Sequence, residues 1–159
     1  MNLNYIQGKD ISKVKLGLFY KDQLVGVMTF GKPRFNKNYE WELIRFASIG
    51  RIVGGASKLL HYFLKNYFPK SIVTYADRKW SHGKLYKALG FTFVGKTEPS
   101  YFYSNGKQVL SRYECQKHKL KKILGEKFDP SLTELENMTK AFFQRVYDCG
   151  NLVFELNLK

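Results

Sequence analysis

The chain reads Trp41-Glu-Leu-Ile-Arg-Phe-Ala-Ser-Ile-Gly-Arg-Ile-Val-Gly-Gly-Ala-Ser-Lys-Leu-Leu-His-Tyr-Phe63, and this stretch decides the fold. A β-rich run ends near Ser48, a turn follows with three glycines at 50, 54 and 55, and a helix begins at once. The first amide groups of a helix have no partner within it, and its N-terminus carries a partial positive charge. The stretch therefore predicts a phosphate-binding turn, although the same glycines could serve only a tight strand-to-helix corner.

Composition predicts one folded domain of mixed structure. The 159 residues are 44% hydrophobic and 16% aromatic, which is typical of a packed core rather than a disordered tail. We expect no membrane span and no signal peptide, and hence a cytoplasmic location. The two cysteines, Cys115 and Cys149, form no metal-binding cluster and imply no disulfide.

The charge of the chain is strongly positive. There are 27 Lys and Arg against 13 Asp and Glu, a formal net charge of +14. Such an excess favours polyanions, and nucleic acid is the first candidate. The alternatives are a protein that is merely basic or a basic pocket for a phosphorylated cofactor.

Periodicity predicts an α+β (mixed α/β) fold with a central mixed, mostly antiparallel sheet flanked by helices. Asn105-Gly106 predicts the turn of a late hairpin, and Ser81 is the expected N-cap of the second helix. We predict a core domain over 1–117 and a basic helical extension over 118–159 that packs on it. In this extension Ser131-x-x-Glu134 is a capping box for a helix to about Val146, and a final strand follows over 152–156. The other predicted strands are 14–20, 23–30, 41–48, 71–76 and 91–94, and the other helices are 56–68 and 84–89.

Two motifs resemble the GCN5-related N-acetyltransferase (GNAT) superfamily. Arg51-x-x-Gly54-x-Ala56 is similar to the loop that holds the pyrophosphate of an acyl-coenzyme A in that family, and Leu85-Tyr86-x-x-Leu89-Gly90-Phe91 is similar to its "LYxxLGF" segment. The resemblance implies a GNAT fold and acetyl-CoA or another acyl-CoA as cofactor. It also implies that Tyr86 is the general acid for the leaving thiolate, the alternative being a core aromatic. The implied cofactor-binding residues are Phe46, Ala47, Ser48, Arg51, Ile52, Val53, Gly54, Gly55, Ala56 and Ser57.

Further resemblances point to phage proteins that act on DNA. Tyr75-Ala76-Asp77, His82-Gly83 and Tyr86 are similar to a stretch of the Mom DNA-modification proteins. A domain of phage proteins called Hef-like homing endonucleases is similar over nearly the whole chain. The matching segments include 6–9, 28–40, 52–60, 77–81 and 147–152. The chain itself carries no nuclease motif, so we do not expect it to cut DNA alone.

Asp77 and His82 are the candidate groups for deprotonating an attacking amine, because Asp77 follows a strand and His82 precedes a helix. The alternative for Asp77 is a helix cap or an ion pair. Basic residues interleaved with aromatic ones predict contacts to phosphates and bases, the alternative being solvated surface. These nucleic-acid candidates are Lys32, Arg34, Phe35, Lys37, Arg78, Lys79, Trp80, Lys119, Lys121 and Lys122.

The sequence leaves three functions open. The first is an acyl-CoA-dependent N-acyltransferase that modifies a nucleobase in phage DNA. The second is a catalytically silent GNAT-fold module that binds DNA as an accessory to a mobile phage element. The third is an acetyltransferase for a protein or a small amine. A homodimer is left open in each case.

Overall fold

The computed structural model describes residues 12–158. The N-terminal residues assessed for a signal peptide and the resemblance segment 6–9 lie outside this range. Two compact units are present. The first comprises 12–76, 80–96 and 152–158, and the second comprises 77–79 and 97–151.

Nine strands and four α-helices lie between residues 12 and 158, with a 3-10 turn at Gly125–Lys127. In chain order they are β1 (Val14–Tyr20), β2 (Gln23–Gly31), β3 (Trp41–Ser48), α1 (Gly55–Tyr67), β4 (Ser71–Asp77), α2 (Lys84–Ala88), β5 (Thr92–Lys96), β6 (Tyr101–Ser104), β7 (Val109–Ser111), α3 (Lys117–Leu124), α4 (Glu134–Lys140), β8 (Gln144–Tyr147) and β9 (Asn151–Asn157).

The first unit is built on a six-stranded sheet in the order β1-β2-β3-β4-β9-β5. The pairs β1–β2, β2–β3 and β5–β9 are antiparallel, whereas β3 and β4 run parallel. Helix α1 packs against β1 and β2, and α2 packs against β5. The predicted mixed, mostly antiparallel sheet with flanking helices is confirmed.

The apolar residues of α1 explain why this segment forms a helix that packs on the sheet. Leu59, Leu60 and Phe63 recur at helical spacing and are buried against the sheet. The ring of Phe63 stacks on Phe30 of β2, with 3.6 Å between ring centroids. This packing holds the N-terminus of α1 beside the end of β3.

Helix α2 starts differently from the prediction. Its N-cap is Gly83 rather than Ser81, whose hydroxyl instead accepts a hydrogen bond from the Gly83 N–H at 3.1 Å. Gly83 has a φ of 73°, and a Cβ there would lie 2.1 Å from the ring of Phe154. A glycine is required because this turn touches the core.

The second unit has its own sheet, β7-β6-β8, and its own core. The core residues are Tyr103, Cys115, Leu120, Met138 and Phe143. The boundary expected after residue 117 falls inside this unit, because the hairpin β6–β7 pairs with β8. The last strand, β9, belongs instead to the sheet of the first unit.

The predicted helix from Ser131 to Val146 is wrong at both ends. Ser131 bonds to Asp129, and the capping box is formed by Thr133 with Glu136. The helix ends at Lys140, since Phe142 adopts a left-handed φ of 64°. Residues 144–147 then form β8.

Candidate active site

Strands β3 and β4 pair over only part of their length. Their register runs from Trp41 opposite Ile72 to Leu43 opposite Thr74. Strand β3 continues to Ser48 and β4 to Asp77, but no further pairing joins them within residues 12–158. The pairing of the two parallel strands therefore ends at Leu43 and Thr74.

The side chain of Tyr86 reaches the point where this pairing ends. Its hydroxyl forms a hydrogen bond with Thr74, and Thr74 Oγ1 donates to the Leu43 carbonyl at 2.9 Å. The tyrosine ring packs on Phe154, with 5.5 Å between ring centroids. Burial raises the pKa of Tyr86, and the Thr74 hydrogen bond opposes part of this rise. The phenol is thus protonated at neutral pH and keeps a proton to give.

A cleft of about 420 Å³ reaches Leu85, the residue before Tyr86, and we call it the fork cleft; Tyr86 itself is not among the residues that line it. Its walls come from β3, the following loop, the first turn of α1, and α2. It is lined by Phe46, Ser48, Gly50, Arg51, Ile52, Val53, Gly54, Ala56, Ser57, Leu85, Ala88 and Leu89. Eight of the ten cofactor-binding residues expected from the sequence lie in this lining.

The two others, Ala47 and Gly55, do not line the fork cleft. Ala47 lies between Phe46 and Ser48 on a strand, where successive side chains point to opposite faces. Gly55 lines a second cleft on the other side of the loop. Sequence reasoning missed Leu85, Ala88 and Leu89, although their spacing of three and four residues marks one face of α2 beside Tyr86.

The loop and helix start carry the features of an anion site. Gly54 is the N-cap of α1 with a φ of 72°, no side chain caps the helix, and its first turn contains no acidic residue. A Cβ on Gly54 or Gly50 would meet no atom within 4 Å, so a ligand has room to approach the backbone. By helix geometry the amide groups of Ala56 and Ser57 point out of this end. The exposed Arg51 adds a positive charge.

Asp77 and His82 are placed in different units. Asp77 accepts a hydrogen bond from the backbone N–H of Lys79 at 2.8 Å, which is a turn-shaping role. His82 is exposed in the first unit, before α2. Their joint action as a base stays a prediction.

Among the nucleic-acid candidates of the loop after β2, Arg34 has a structural partner. Its Nε and Nη2 donate to Glu42 Oε1 at 2.8 and 2.6 Å, and its backbone N–H donates to Oε2 at 2.7 Å. Glu42 is fully buried. Lys32 and Lys37 are exposed, and Lys37 donates to the Pro33 carbonyl.

The aromatic candidates are exposed, as base contacts require. Phe35 is 71% exposed and meets the edge of Tyr75, with 5.2 Å between ring centroids. Trp80 is 63% exposed. Both rings leave apolar surface in solvent within the first unit.

The remaining basic candidates belong to the second unit. Arg78 donates to the Cys149 carbonyl at 2.9 Å, and Lys79 is exposed. Lys119 lies 3.0 Å from the centre of the Tyr113 ring. Lys121 and Lys122 are exposed in the last turn of α3, where their charges stabilise the helix end.

The positive charge is concentrated in the first unit. Among residues 12–158 this unit holds 14 Lys and Arg against 4 Asp and Glu, whereas the second holds 11 against 8. The unit with the fork cleft therefore has the larger positive net charge.

No known protein-family model matches the chain, and no curated protein matches it significantly. Across residues 12–158, no group of three or more His, Cys, Asp or Glu is arranged to hold a metal ion. None of the helices in this range has the length and hydropathy needed to cross a membrane. The function must therefore be argued from the site itself.

Proposed function

We propose that the protein is an acyl-CoA-dependent N-acyltransferase of the GNAT type that acts on an amine of nucleic acid, in phage DNA in the host cytoplasm. The observation that carries this proposal is the position of the Tyr86 hydroxyl, at the point where the pairing of β3 and β4 ends. A ligand with a diphosphate at the start of α1 and an extended arm along β3 beyond Leu43 would bring its thioester to that hydroxyl.

The chemistry follows from this arrangement. An acceptor amine attacks the thioester carbonyl, a C–N bond forms, and the C–S bond breaks. The leaving thiolate takes the Tyr86 proton, the tyrosinate regains a proton from solvent, and the amine gives up its extra proton to a base or to water. His82, which lies in the same unit as Tyr86, is the proposed base.

The nucleic-acid acceptor is supported by charge and by exposed aromatic rings. The excess of Lys and Arg in the first unit exceeds what one diphosphate needs. Phe35 and Trp80 offer flat surfaces on which a base stacks after it leaves the duplex. A protein or small-amine acceptor has no comparable observation in its favour.

The cofactor half of the proposal is tested by thermal unfolding with coenzyme A. At a ligand concentration 100-fold above Kd, binding adds about 2.7 kcal/mol to stability, which raises the melting temperature by several degrees. We expect Gly54→Glu to abolish this rise, because the new carboxylate occupies the anion site. Gly106→Glu is the matched control, since Gly106 is also left-handed, with a φ of 82° and open space around it. A melting temperature unchanged by millimolar coenzyme A would refute the cofactor half.

The second candidate is a silent module that binds DNA without a cofactor. It is favoured by the use of the Asp77 carboxylate in a turn rather than toward a substrate. This candidate predicts DNA affinity that falls steeply with salt, together with no response to coenzyme A. Anisotropy of a labelled oligonucleotide, measured on the same preparation at several salt concentrations, separates it from the enzyme.

A further inference from the structure

The three-stranded sheet of the second unit carries tyrosines that the candidate active site does not use. Tyr101 of β6 and Tyr147 of β8 lie opposite each other on paired strands, and their rings meet edge to face with 5.8 Å between centroids. Tyr147 is 60% exposed, so its ring is available to a partner. Neither tyrosine lines the fork cleft, and neither was a candidate from the sequence.

Two arginines lie close to the ring of Tyr101. The guanidinium carbon of Arg145 is 4.4 Å from the ring centre, and that of Arg112 is 5.1 Å from it. Arg145 is held within the unit, because its Nε and Nη2 donate to the Tyr103 hydroxyl at 3.1 and 2.8 Å. The exposed side chain of Arg112 forms no hydrogen bond or ion pair within residues 12–158. Arg112 is therefore the cation of this pair that can bind a ligand.

The next residue in the chain, Tyr113, repeats the combination of a ring and a cation. It is 72% exposed, and the Nζ of Lys119 lies 3.0 Å from the centre of its ring. A cation covers only one face of a ring, so this ring leaves flat apolar surface in solvent. We call the set of Tyr101, Arg112, Tyr113, Lys119 and Tyr147 the cation–tyrosine patch.

The acidic side chains beside the patch are engaged within the second unit. Glu114 accepts hydrogen bonds from the N–H and the hydroxyl of Ser111. Asp148 accepts from two backbone N–H groups, and Glu134 accepts from two tyrosine hydroxyls of β6. Within residues 12–158 none of these carboxylates forms an ion pair with Arg112. The positive charge of Arg112 is therefore left for a partner from outside the chain.

We infer that the cation–tyrosine patch binds an unpaired stretch of nucleic acid, with bases stacked on Tyr113 and Tyr147 and a phosphate at Arg112. Rings stack on bases that have left the duplex, and a guanidinium donates two parallel N–H groups to phosphate oxygens. An acidic peptide would satisfy the cations but not the exposed rings. The inference goes beyond the proposed function, because it assigns nucleic-acid binding to the second unit, apart from the residues of acyl transfer.

The stacking half of the inference is tested by fluorescence anisotropy of the full chain with two labelled probes. One is an oligothymidylate, and the other is a strand of equal length made of abasic sites, which keeps the phosphates and lacks the bases. We expect Tyr113→Ala and Tyr147→Ala each to weaken thymidylate binding about fivefold or more and to leave abasic-strand binding unchanged. Tyr147→Phe keeps the ring and should keep the affinity. Tyr62→Ala is the matched control, since Tyr62 is 57% exposed on α1 in the first unit.

The phosphate half is tested by the salt dependence of the same binding. We expect Arg112→Gln to weaken both probes equally and to make the slope of log affinity against log salt shallower by about 0.7, the value for one phosphate of a single strand. Lys107→Gln is the matched control, because Lys107 is an exposed cation of the β6–β7 turn. An unchanged slope in Arg112→Gln would refute the phosphate contact.

The remaining outcomes separate the inference from the proposed function. Equal affinity of the native protein for the two probes, or full affinity in both tyrosine-to-alanine variants, overturns the inference. If only Phe35→Ala and Trp80→Ala weaken thymidylate binding, the inference falls and the proposed function stands. If neither probe binds, the inference falls together with the nucleic-acid half of the proposed function, and coenzyme A binding still decides the cofactor half.

Discussion

The hydroxyl of Tyr86 lies where the pairing of β3 and β4 ends, and its role is separable from its packing. Tyr86→Phe keeps the ring on Phe154 and removes the hydroxyl, together with its hydrogen bond to Thr74. We expect the rate of acyl transfer to fall about a hundredfold or more, with coenzyme A binding little changed and the melting temperature lowered by only a few degrees, about the cost of one lost hydrogen bond. Transfer rates and thermal shifts measured on the same variant check this.

The pH dependence of the reaction gives a second readout of Tyr86. Because burial raises its pKa, the phenol stays protonated up to the ordinary tyrosine pKa of 10.0 and beyond. Transfer by the native protein should therefore decline only above that pH, as the proton is lost. A decline that is equally large in Tyr86→Phe would assign the ionisation to another group.

We expected Arg34 to contact nucleic-acid phosphates, but in the structure its guanidinium forms an ion pair with the buried carboxylate of Glu42. Removing Arg34 leaves Glu42, which is fully buried, without its cation, and we expect Arg34→Ala to cost about 2–3 kcal/mol of unfolding free energy. Lys32→Ala, an exposed neighbour in the same loop, should cost less than about 0.5 kcal/mol. Urea unfolding of both variants tests the difference, and equal losses would contradict a structural role for Arg34.

At the scale of elements, local signals predicted most of the strands and the long helix. Alternation placed β1 and β2, the Asn105-Gly106 pair placed the β6–β7 turn, and apolar spacing placed α1. The sequence predicted a final strand over 152–156, but it did not predict that this strand, β9, lies between β4 and β5 in the first sheet. Phe154 pairs with Phe93 of β5, some sixty residues earlier in the chain, and no local pattern encodes so distant a partner.

The start of α4 shows how a cap can be misassigned by two residues. The pattern Ser131-x-x-Glu134 fits a capping box, but so does Thr133-x-x-Glu136, and the structure uses the second. We expect Thr133→Ala to lower the unfolding free energy by about 1 kcal/mol and Ser131→Ala to lower it by much less. Chemical denaturation of the two variants decides between the caps, and a larger loss for Ser131→Ala would contradict the structure.

The candidate site was largely predictable because its residues are consecutive in sequence. The loop from Phe46 to Ser57 supplies eight of the expected residues to the fork cleft, and strand alternation explains why Ala47 is absent. The sequence did not predict that residues of α2 line the cleft, because the packing of that helix against the loop depends on the whole sheet. The ion pair of Arg34 with Glu42 was missed for a similar reason, since it needs the loop to fold back.

At the scale of the whole molecule, most of the positive charge and the candidate active site lie in the same unit. The first unit carries most of the net charge of +14 together with the fork cleft. The polyanion attraction and the cofactor binding that we propose thus involve the same part of the chain. This coincidence favours a nucleic acid as the acceptor over a neutral small molecule.

Mass spectrometry of nucleosides is the most direct test of acyl transfer to DNA. DNA is incubated with the protein and acetyl-CoA, digested to nucleosides and compared with a reaction that lacks the acyl donor. We expect a nucleoside that gains one acetyl group, that forms only when the donor is present, and that becomes scarce with Tyr86→Phe. Unmodified nucleosides from a preparation that binds both coenzyme A and DNA would contradict this expectation.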